Sequence, residues 1–492
     1  MATAAAVDQD RRFFGHPRGL STLFFTELWE RFSFYGMRGL LILSMTRTAE
    51  TGGLGFTVAK AGAIYGLYTA MVYLMGVPGG WIADRMLGQR RAVLYGGVII
   101  ALGHYSLALP GANTFYLGLV LVVIGTGLLK PNVSTMVGQL YQVNDPRRDA
   151  GFSIYYMGIN IGSFVAPLLC SYLGENINWH YGFGLAGAGM TFGVIQYTLG
   201  AKNLSEKSLP PRQEPREEWR MKLMLAIAAI VAVLAAVLLF SGALSGIMSI
   251  TAQQISDAFG IVLIAVVAGV FGWLLFGAKW TAVERRRLIA IFVLFIAATL
   301  FWSLYEQAGS TLNLFADRST DRTLGGMFPD KFPAGWFQSL NPLFVITLAP
   351  VFAWLWVRLG SRNPSSPAKF AVGLLFVGAG FLVLLPVASG HAVSPFWLTL
   401  TYLLHTIGEL CLSPVGLSAM TKLAPVRVAS LTMGVWFLAD AVGNYIGGRL
   451  ASVYEAFPLT ALFGLVGAST IVLGVVLALL APSIKRLMGG VN

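Results

Sequence analysis

About fourteen stretches of roughly 20 largely apolar residues recur along this chain, set apart by Gly, Pro or charged breaks, and that is the length a helix needs to cross a bilayer. They lie near 20–46, 57–83, 92–110, 113–140, 150–173, 181–200, 222–243, 257–277, 288–313, 336–357, 370–388, 395–421, 429–453 and 459–484. Strands of a membrane barrel would alternate over about ten residues between turns, whereas Leu223 to Phe240 is continuously apolar. The pattern predicts an all-α, polytopic membrane protein. Composition excludes the soluble alternative: 56% of the 492 residues are hydrophobic and 11% charged, against roughly 25% charged in soluble domains.

The net charge of +12 is explained by topology rather than by nucleic acid. The N-terminus (Arg11, Arg12, Arg18) and every second loop (Arg85/Arg90/Arg91, Arg147/Arg148, Lys202 to Lys222, Lys279 to Arg287, Arg358/Arg362/Lys369, Lys422/Arg427, Lys485/Arg486) hold most of the Lys and Arg. The intervening loops hold only Arg47, Lys60, Arg318, Arg322 and Lys331. The positive-inside rule then places both termini in the cytoplasm of a multi-pass protein of the inner (cell) membrane, with an even helix number. Residues 1–19 lack the apolar core of a cleavable signal, so the first helix is expected to stay. Cys170 and Cys411 fall in apolar helices far apart, where no disulfide framework is expected.

The longest polar stretch, Lys202 to Lys222, contains Pro210, Pro211 and Pro215 and divides the chain. The expected domains are a six-helix bundle over 1–200, a cytoplasmic linker over 201–221, two peripheral helices over 222–280 and a second six-helix bundle over 281–492. Two six-helix bundles with a midplane site are the organisation of major-facilitator transporters, an analogy that rests on helix count.

Charges inside hydrocarbon are costly and usually mark a pathway. Here Glu27, Glu30, Arg31, Arg38, Lys130, Glu306, Glu409 and Asp440 lie within apolar stretches. Static ion pairs between helices are the alternative, though apolar packing often stabilises as well as a buried pair does. Glu27, Arg31 and Tyr35 are spaced by four and Arg38 follows by three, so all share one helix face. Arg suits bidentate capture of a carboxylate. Desolvation and a neighbouring guanidinium act on a buried Glu in opposite senses, which lets it exchange protons near neutral pH.

Glu27-Leu-Trp-Glu30-Arg31-Phe-Ser-Phe-Tyr35-Gly36 resembles the ExxERFxYYG motif of the proton-dependent oligopeptide transporters, a peptide transporter family of the major facilitator superfamily. Gly79 to Gly88 followed by Ala92-Val93, and Phe152 to Gly162, are similar to two further family signatures. Leu129-Lys130-Pro131-Asn132, Phe337 to Pro342 and Gly408 to Pro414 are similar to other family segments.

The resemblance implies a proton-coupled symporter importing di- and tripeptides by alternating access, with the proton gradient as energy source, no cofactor and no enzymatic activity. It implies that Arg31 and Lys130 bind the peptide carboxylate, and that Asn160, Asn341 and Glu409 engage its amino end and backbone. It also implies gate salt bridges of Arg38 with Glu306 and Lys130 with Glu409. Tyr35, Tyr73, Tyr156, Trp302 and Trp436 are candidate apolar lining, with helix packing or interfacial anchoring as their ordinary alternative.

Three features depart from the family, the third being Asp440, which matches no family residue. Ala61 to Tyr68 lacks the second-helix His of many animal members, so coupling must rest on Glu27, Glu30, Glu306 or Glu409, with Arg31 tuning the first two. Tyr305 stands where some bacterial relatives carry a second acid. Asp440 is either a further proton site or a helix-end acid partly in water. His104 and His405 have no spaced partners for a metal, although His405, four residues before Glu409, is placed to tune that acid. The absence of a phosphate-cradling glycine loop or nucleophile elbow argues against ATP and against catalysis. Anion transport and a non-transporting peptide sensor remain the competing readings. The expected partners are short peptides, protons and the lipid bilayer, with the monomer as functional unit.

Overall fold

The computed structural model describes residues 10–142, 145–209, 251–327 and 330–489. Among them, helices are the only extended elements, joined by turns and two isolated bridges. The helices are α1 (Arg18–Thr46), α2 (Val58–Leu74), α3 (Gly76–Ile82), α4 (Gly88–Leu107), α5 (Ala112–Gln139), α6 (Arg148–Asn176), α7 (Trp179–Gly200), α8 (Ala252–Phe276), α9 (Ala282–Tyr305) and α10 (Thr311–Arg318). They continue with α11 (Leu340–Leu359), α12 (Ser366–Leu382), α13 (Pro395–Leu423), α14 (Ala429–Ser452) and α15 (Leu459–Leu487).

Every expected span is met by a helix except the one near 222–243, which lies outside the described residues. Among the described residues nine helical segments are long and apolar enough to cross a membrane. α1 has the length but carries Glu27, Glu30, Arg31 and Arg38.

Two spans differ in detail from expectation. The one near 57–83 is broken at Met75, and α3 runs into a π-helical turn over Ala83–Leu87. The one near 288–313 begins at Ala282, where Thr281 and Glu284 form a capping box, and its α-helix ends at Tyr305. A 3₁₀ turn over Glu306–Gly309 follows, and Ser310 (φ −128°, ψ −90°) leaves helical geometry before α10 starts. Glu306 therefore sits at a helix break and not mid-helix.

The described residues form two compact units. One holds residues 10–44, 48–54 and 74–209, and the other holds 45–47, 55–73 and 251–489. In the first, Leu20 and Leu23 of α1, Val93 and Ile100 of α4, Leu129 and Val133 of α5, Tyr155 of α6 and Met190 of α7 form one buried cluster. Lipid is as apolar as these side chains, so what holds such helices together is close packing and interhelical hydrogen bonds.

Close approach is clearest at Gly79. Pro131 inside α5 has no N–H to give the carbonyl four residues back, which belongs to Gly127, and that carbonyl lies against Gly79, where a Cβ would collide with it. At the end of this unit, Arg90 donates to Ser208 Oγ at 3.0 Å and to the Leu204 carbonyl, binding the first residues after α7 to α4. The rest of the expected linker lies outside the described residues.

In the second unit α9 packs on α14, and α12 packs on α13 and α15. α2 joins α14 through glycines: a Cβ on Gly66 would stand 2.7 Å from the Gly448 Cα. α8 is attached thinly, with 22% of its most apolar stretch buried.

Gly66→Val should lower stability by about 1–3 kcal/mol, the usual cost of overpacking, measured as thermal unfolding of the detergent-solubilised protein. Gly272→Val, at a position where a Cβ meets nothing within 4 Å, should be nearly silent in the same assay. Equal effects of the two would refute this account of the α2–α14 contact.

Candidate functional site

The first unit gathers its charges around α1. Arg31 grips Glu30 in a bidentate pair, through Nε and through Nη2 to Oε1 at 2.6 Å. Its Nε also lies 3.5 Å from Glu27 Oε1. The spacing of four that put these residues on one face thus yields a buried triad, with all three side chains under 5% exposed. Tyr155 on α6 donates to Glu27 Oε2 at 2.7 Å, and Ser134 on α5 lies 3.5 Å from the same phenol oxygen. Lys130, half-buried one residue before Pro131, is near enough to act on Glu27 electrostatically.

The aromatic faces on α1 serve the guanidinium groups. Arg31 lies 5.0 Å above Phe34 and Arg38 lies 5.6 Å above Tyr35, distances within the range of cation–π attraction. Asn160 on α6 donates to the Tyr156 carbonyl of its own helix at 2.9 Å. Tyr156 is exposed, and its neighbour Tyr155 is the one turned to the acid.

The second unit gathers polar groups around Glu409 on α13. Tyr305 donates to Glu409 Oε2 at 2.7 Å, and Asn341 Nδ2 donates to the same oxygen at 2.9 Å and to Thr406 at 3.0 Å. Thr406 in turn donates to the Tyr402 carbonyl, so Asn341 is oriented by a fixed hydroxyl. Glu306, buried at the end of α9, is close enough for its charge to act on Glu409. Tyr305 stacks on Phe301 at 5.5 Å and meets Trp302 edge-on at 5.3 Å.

The remaining candidates are placed as follows. Tyr73 is half-buried at the end of α2. Trp302 is buried with its Cβ against Gly443, and Trp436 is buried with its ring against Gly416 and Phe370; both side chains pack between helices of the second unit. Asp440 accepts from Asn444 Nδ2 at 2.8 Å and is 7% exposed. The His405 ring lies between Phe381 at 5.3 Å and Tyr305 at 6.4 Å. No group of three or more metal-ligating side chains occurs among the described residues.

Four contacts are not legible in the sequence. Tyr155 and Tyr305 stood next to residues singled out, yet nothing in their spacing says which acid on another helix they reach. Asp317 on α10, 7% exposed, accepts from Arg47 at 2.5 Å and from Arg322 at 2.8 Å; in the sequence Arg47 and Arg322 read only as loop charges, and nothing marks Asp317. Arg449 pairs with Asp257 at 2.8 Å, and the only available signal was a charge near the end of each of two apolar spans.

The POT family matches residues 90–472 of this chain. The chain is similar to the peptide transporter YePEPT of Yersinia enterocolitica subsp. palearctica, at 42% identity over 99% of this chain and 98% of the relative. It is also similar to a di-/tripeptide transporter of Lactococcus lactis subsp. cremoris, at 39% identity over 98% and 99%. Among solved structures it matches a crystal structure of a peptide transporter POT in complex with sulfate, with a TM-score of 0.89 and 44% identity over 97% of each chain.

Removing a donor from a buried carboxylate leaves it short of a partner at a cost of about 1–3 kcal/mol. Tyr155→Phe and Asn341→Ala should each lower thermal stability by that order. The Asn341→Ala loss should shrink by about 0.5–3 kcal/mol when combined with Glu409→Gln, because the two side chains are coupled. Strict additivity in that double-mutant cycle would show that the Asn341 to Glu409 contact carries no energy.

Proposed function

As the chain belongs to the POT family, we propose that it is a proton-coupled symporter that imports di- and tripeptides across the cytoplasmic membrane by alternating access. The chain is a membrane-spanning transporter of that family and not an enzyme. The observation that carries the proposal is that each unit buries a carboxylate on a neutral phenol donor, Glu27 on Tyr155 and Glu409 on Tyr305. A phenol can donate to a carboxylate and accept from a carboxylic acid, so the acid can gain or lose a proton without losing its partner.

A short peptide is a zwitterion. The basic residues Arg31 and Lys130 suit its carboxylate, and Glu409 with Asn341 suits its ammonium and backbone, with Tyr35, Arg38, Tyr73, Asn160, Trp302, Glu306 and Trp436 contributing to the pocket. Proton coupling is assigned to Glu27, Glu30, Glu306 and Glu409, with Arg31 as the counter-charge that responds. Arg38 with Glu306 and Lys130 with Glu409 are the gate pairs, loosened when an acid is protonated or when Lys130 takes the peptide carboxylate instead. The basic loops support an orientation with both termini cytoplasmic. The division into bundles over 1–200 and 281–492, joined by a linker and two peripheral helices, is proposed together with a monomeric functional unit.

Labelled dialanine should enter proteoliposomes faster under an inward proton gradient, with competition from di- and tripeptides and none from nitrate or free amino acids. Glu306→Gln or Glu409→Gln should reduce gradient-driven uptake roughly tenfold or more, within the 5–150-fold range typical of lost coupling. Competition by nitrate alone would refute the peptide assignment, and intact gradient-driven uptake in either variant would remove that acid from the gate.

A further inference from the structure

α8 touches its unit along a narrow seam that the proposed transport cycle does not use. Tyr445 of α14 donates to the Ser256 carbonyl at 2.9 Å, and its ring lies against Gly260. From this crossing toward Phe276 runs a slot of about 530 Å³, walled by Leu263, Val267 and Phe271 of α8, Phe292 and Phe295 of α9 and Val442 of α14. Among the described residues no charged side chain lines it. Ile264 and Phe276 border the slot and are 70% and 77% exposed, so it opens sideways into whatever surrounds the helices. From Gly260 to Phe276 the helix rises about 24 Å at 1.5 Å per residue, longer than the ~15 Å half-thickness of a bilayer core.

At the other end of the crossing lies a second cavity of about 480 Å³, lined by Ala59, Gln253, Arg449 and Ser452 and sharing Ile446 with the slot as a common wall. Here, in the first turns of α8 and the last turn of α14, Arg449 pairs with Asp257 at 2.8 Å, their side chains 33% and 51% exposed. An ion pair this open contributes little to stability. Arg449 also donates through Nη1 and Nη2 to the Gln253 amide oxygen, the latter at 2.7 Å, and both members of the ion pair keep further capacity, since a guanidinium has five N–H groups and a carboxylate about four lone-pair sites.

We propose that the slot and the ion pair together form a binding site for a membrane aminophospholipid, with an acyl chain in the slot, the phosphate on Arg449 and the primary ammonium on Asp257. The paired charges match a headgroup that carries both signs. An anionic phosphatidylglycerol would satisfy Arg449 but meet repulsion from Asp257. A phosphatidylcholine carries both charges, yet its quaternary ammonium has no N–H to donate to the carboxylate. Ordinary annular lipid would fill the slot with no preference among headgroups.

The test is native mass spectrometry of the full chain released from nanodiscs made of equal parts phosphatidylethanolamine, phosphatidylcholine and phosphatidylglycerol with matched acyl chains. One phosphatidylethanolamine should be retained, preferred over either competitor by roughly tenfold, the ratio expected from one charge-assisted hydrogen bond. Asp257→Asn should shift retention toward phosphatidylglycerol. Gly272→Leu adds bulk inside the slot at a position where a Cβ meets nothing within 4 Å, and it should abolish retention of all three lipids at an unchanged unfolding temperature. If Asp257→Asn does not fold, Arg449→Gln serves in its place and should bring phosphatidylethanolamine down to the level of phosphatidylcholine. Equal retention of the three lipids in the unmodified protein, or an ethanolamine preference that survives the headgroup variant or Gly272→Leu, overturns the proposal. No peptide is present in the measurement, so its failure leaves the transport assignment untouched.

Discussion

The buried triad of Glu27, Glu30 and Arg31 is the constraint on which the first unit depends. Three ionised groups under 5% exposed cannot be left unpaired in a low-dielectric setting, because removing one partner from such a set costs several kcal/mol. α1 therefore tolerates little rotation: the face that carries the triad must meet Tyr155 on α6 and lie within reach of Lys130 on α5. Close packing follows from the same demand. Where Gly162 of α6 lies under the Leu28 backbone of α1, any larger side chain would lift α6, and with it the Tyr155 hydroxyl, away from Glu27.

The second unit solves a similar problem with neutral donors. Among the described residues of its unit no guanidinium is bonded to Glu409; Tyr305 and Asn341 share one of its oxygens, and Thr406 holds Asn341 in place. The break after α9 serves this arrangement. Tyr305 is the last α-helical residue and Glu306 the first of the 3₁₀ turn, so consecutive residues place a donor on Glu409 and a second carboxylate close to it. An uninterrupted helix would turn successive side chains by about 100° and carry the following residues along the same axis, whereas the turn at Ser310 lets α10 bring Asp317 to Arg47 and Arg322.

How much of this could be read from the chain differs by level. Apolar length gave the helices almost everywhere, because a spanning helix satisfies its own backbone and owes little to its neighbours. The helix break at Glu306 was invisible, since Gly309 and Ser310 are common inside membrane helices, and only the packing around them decides that the helix stops. The triad was legible because its members lie on one helix, where spacing fixes geometry. Tyr155, Tyr305 and the Asp317 cluster were not, because each joins residues far apart in sequence whose approach is set by tertiary packing. Aromatic character at Trp436 is compatible with lining and with packing alike, and the sequence does not show that the ring lies over Gly416.

Among the acids on α1, the geometry separates two roles that sequence left together. Glu30 holds Arg31 through both oxygens, one contact at 2.6 Å, and bidentate pairs of this kind are the strongest a carboxylate makes. Glu27 touches the same guanidinium only at 3.5 Å and is otherwise held by a phenol. Protonating Glu30 would break two charge-assisted bonds and leave Arg31 with its weaker partner, whereas protonating Glu27 forfeits one long contact and lets the Tyr155 oxygen become the acceptor. Within the proposed symport cycle we infer that Glu27 takes the proton first among the α1 acids, and that Glu30 takes part in coupling through its hold on Arg31, which keeps that guanidinium oriented for a peptide carboxylate.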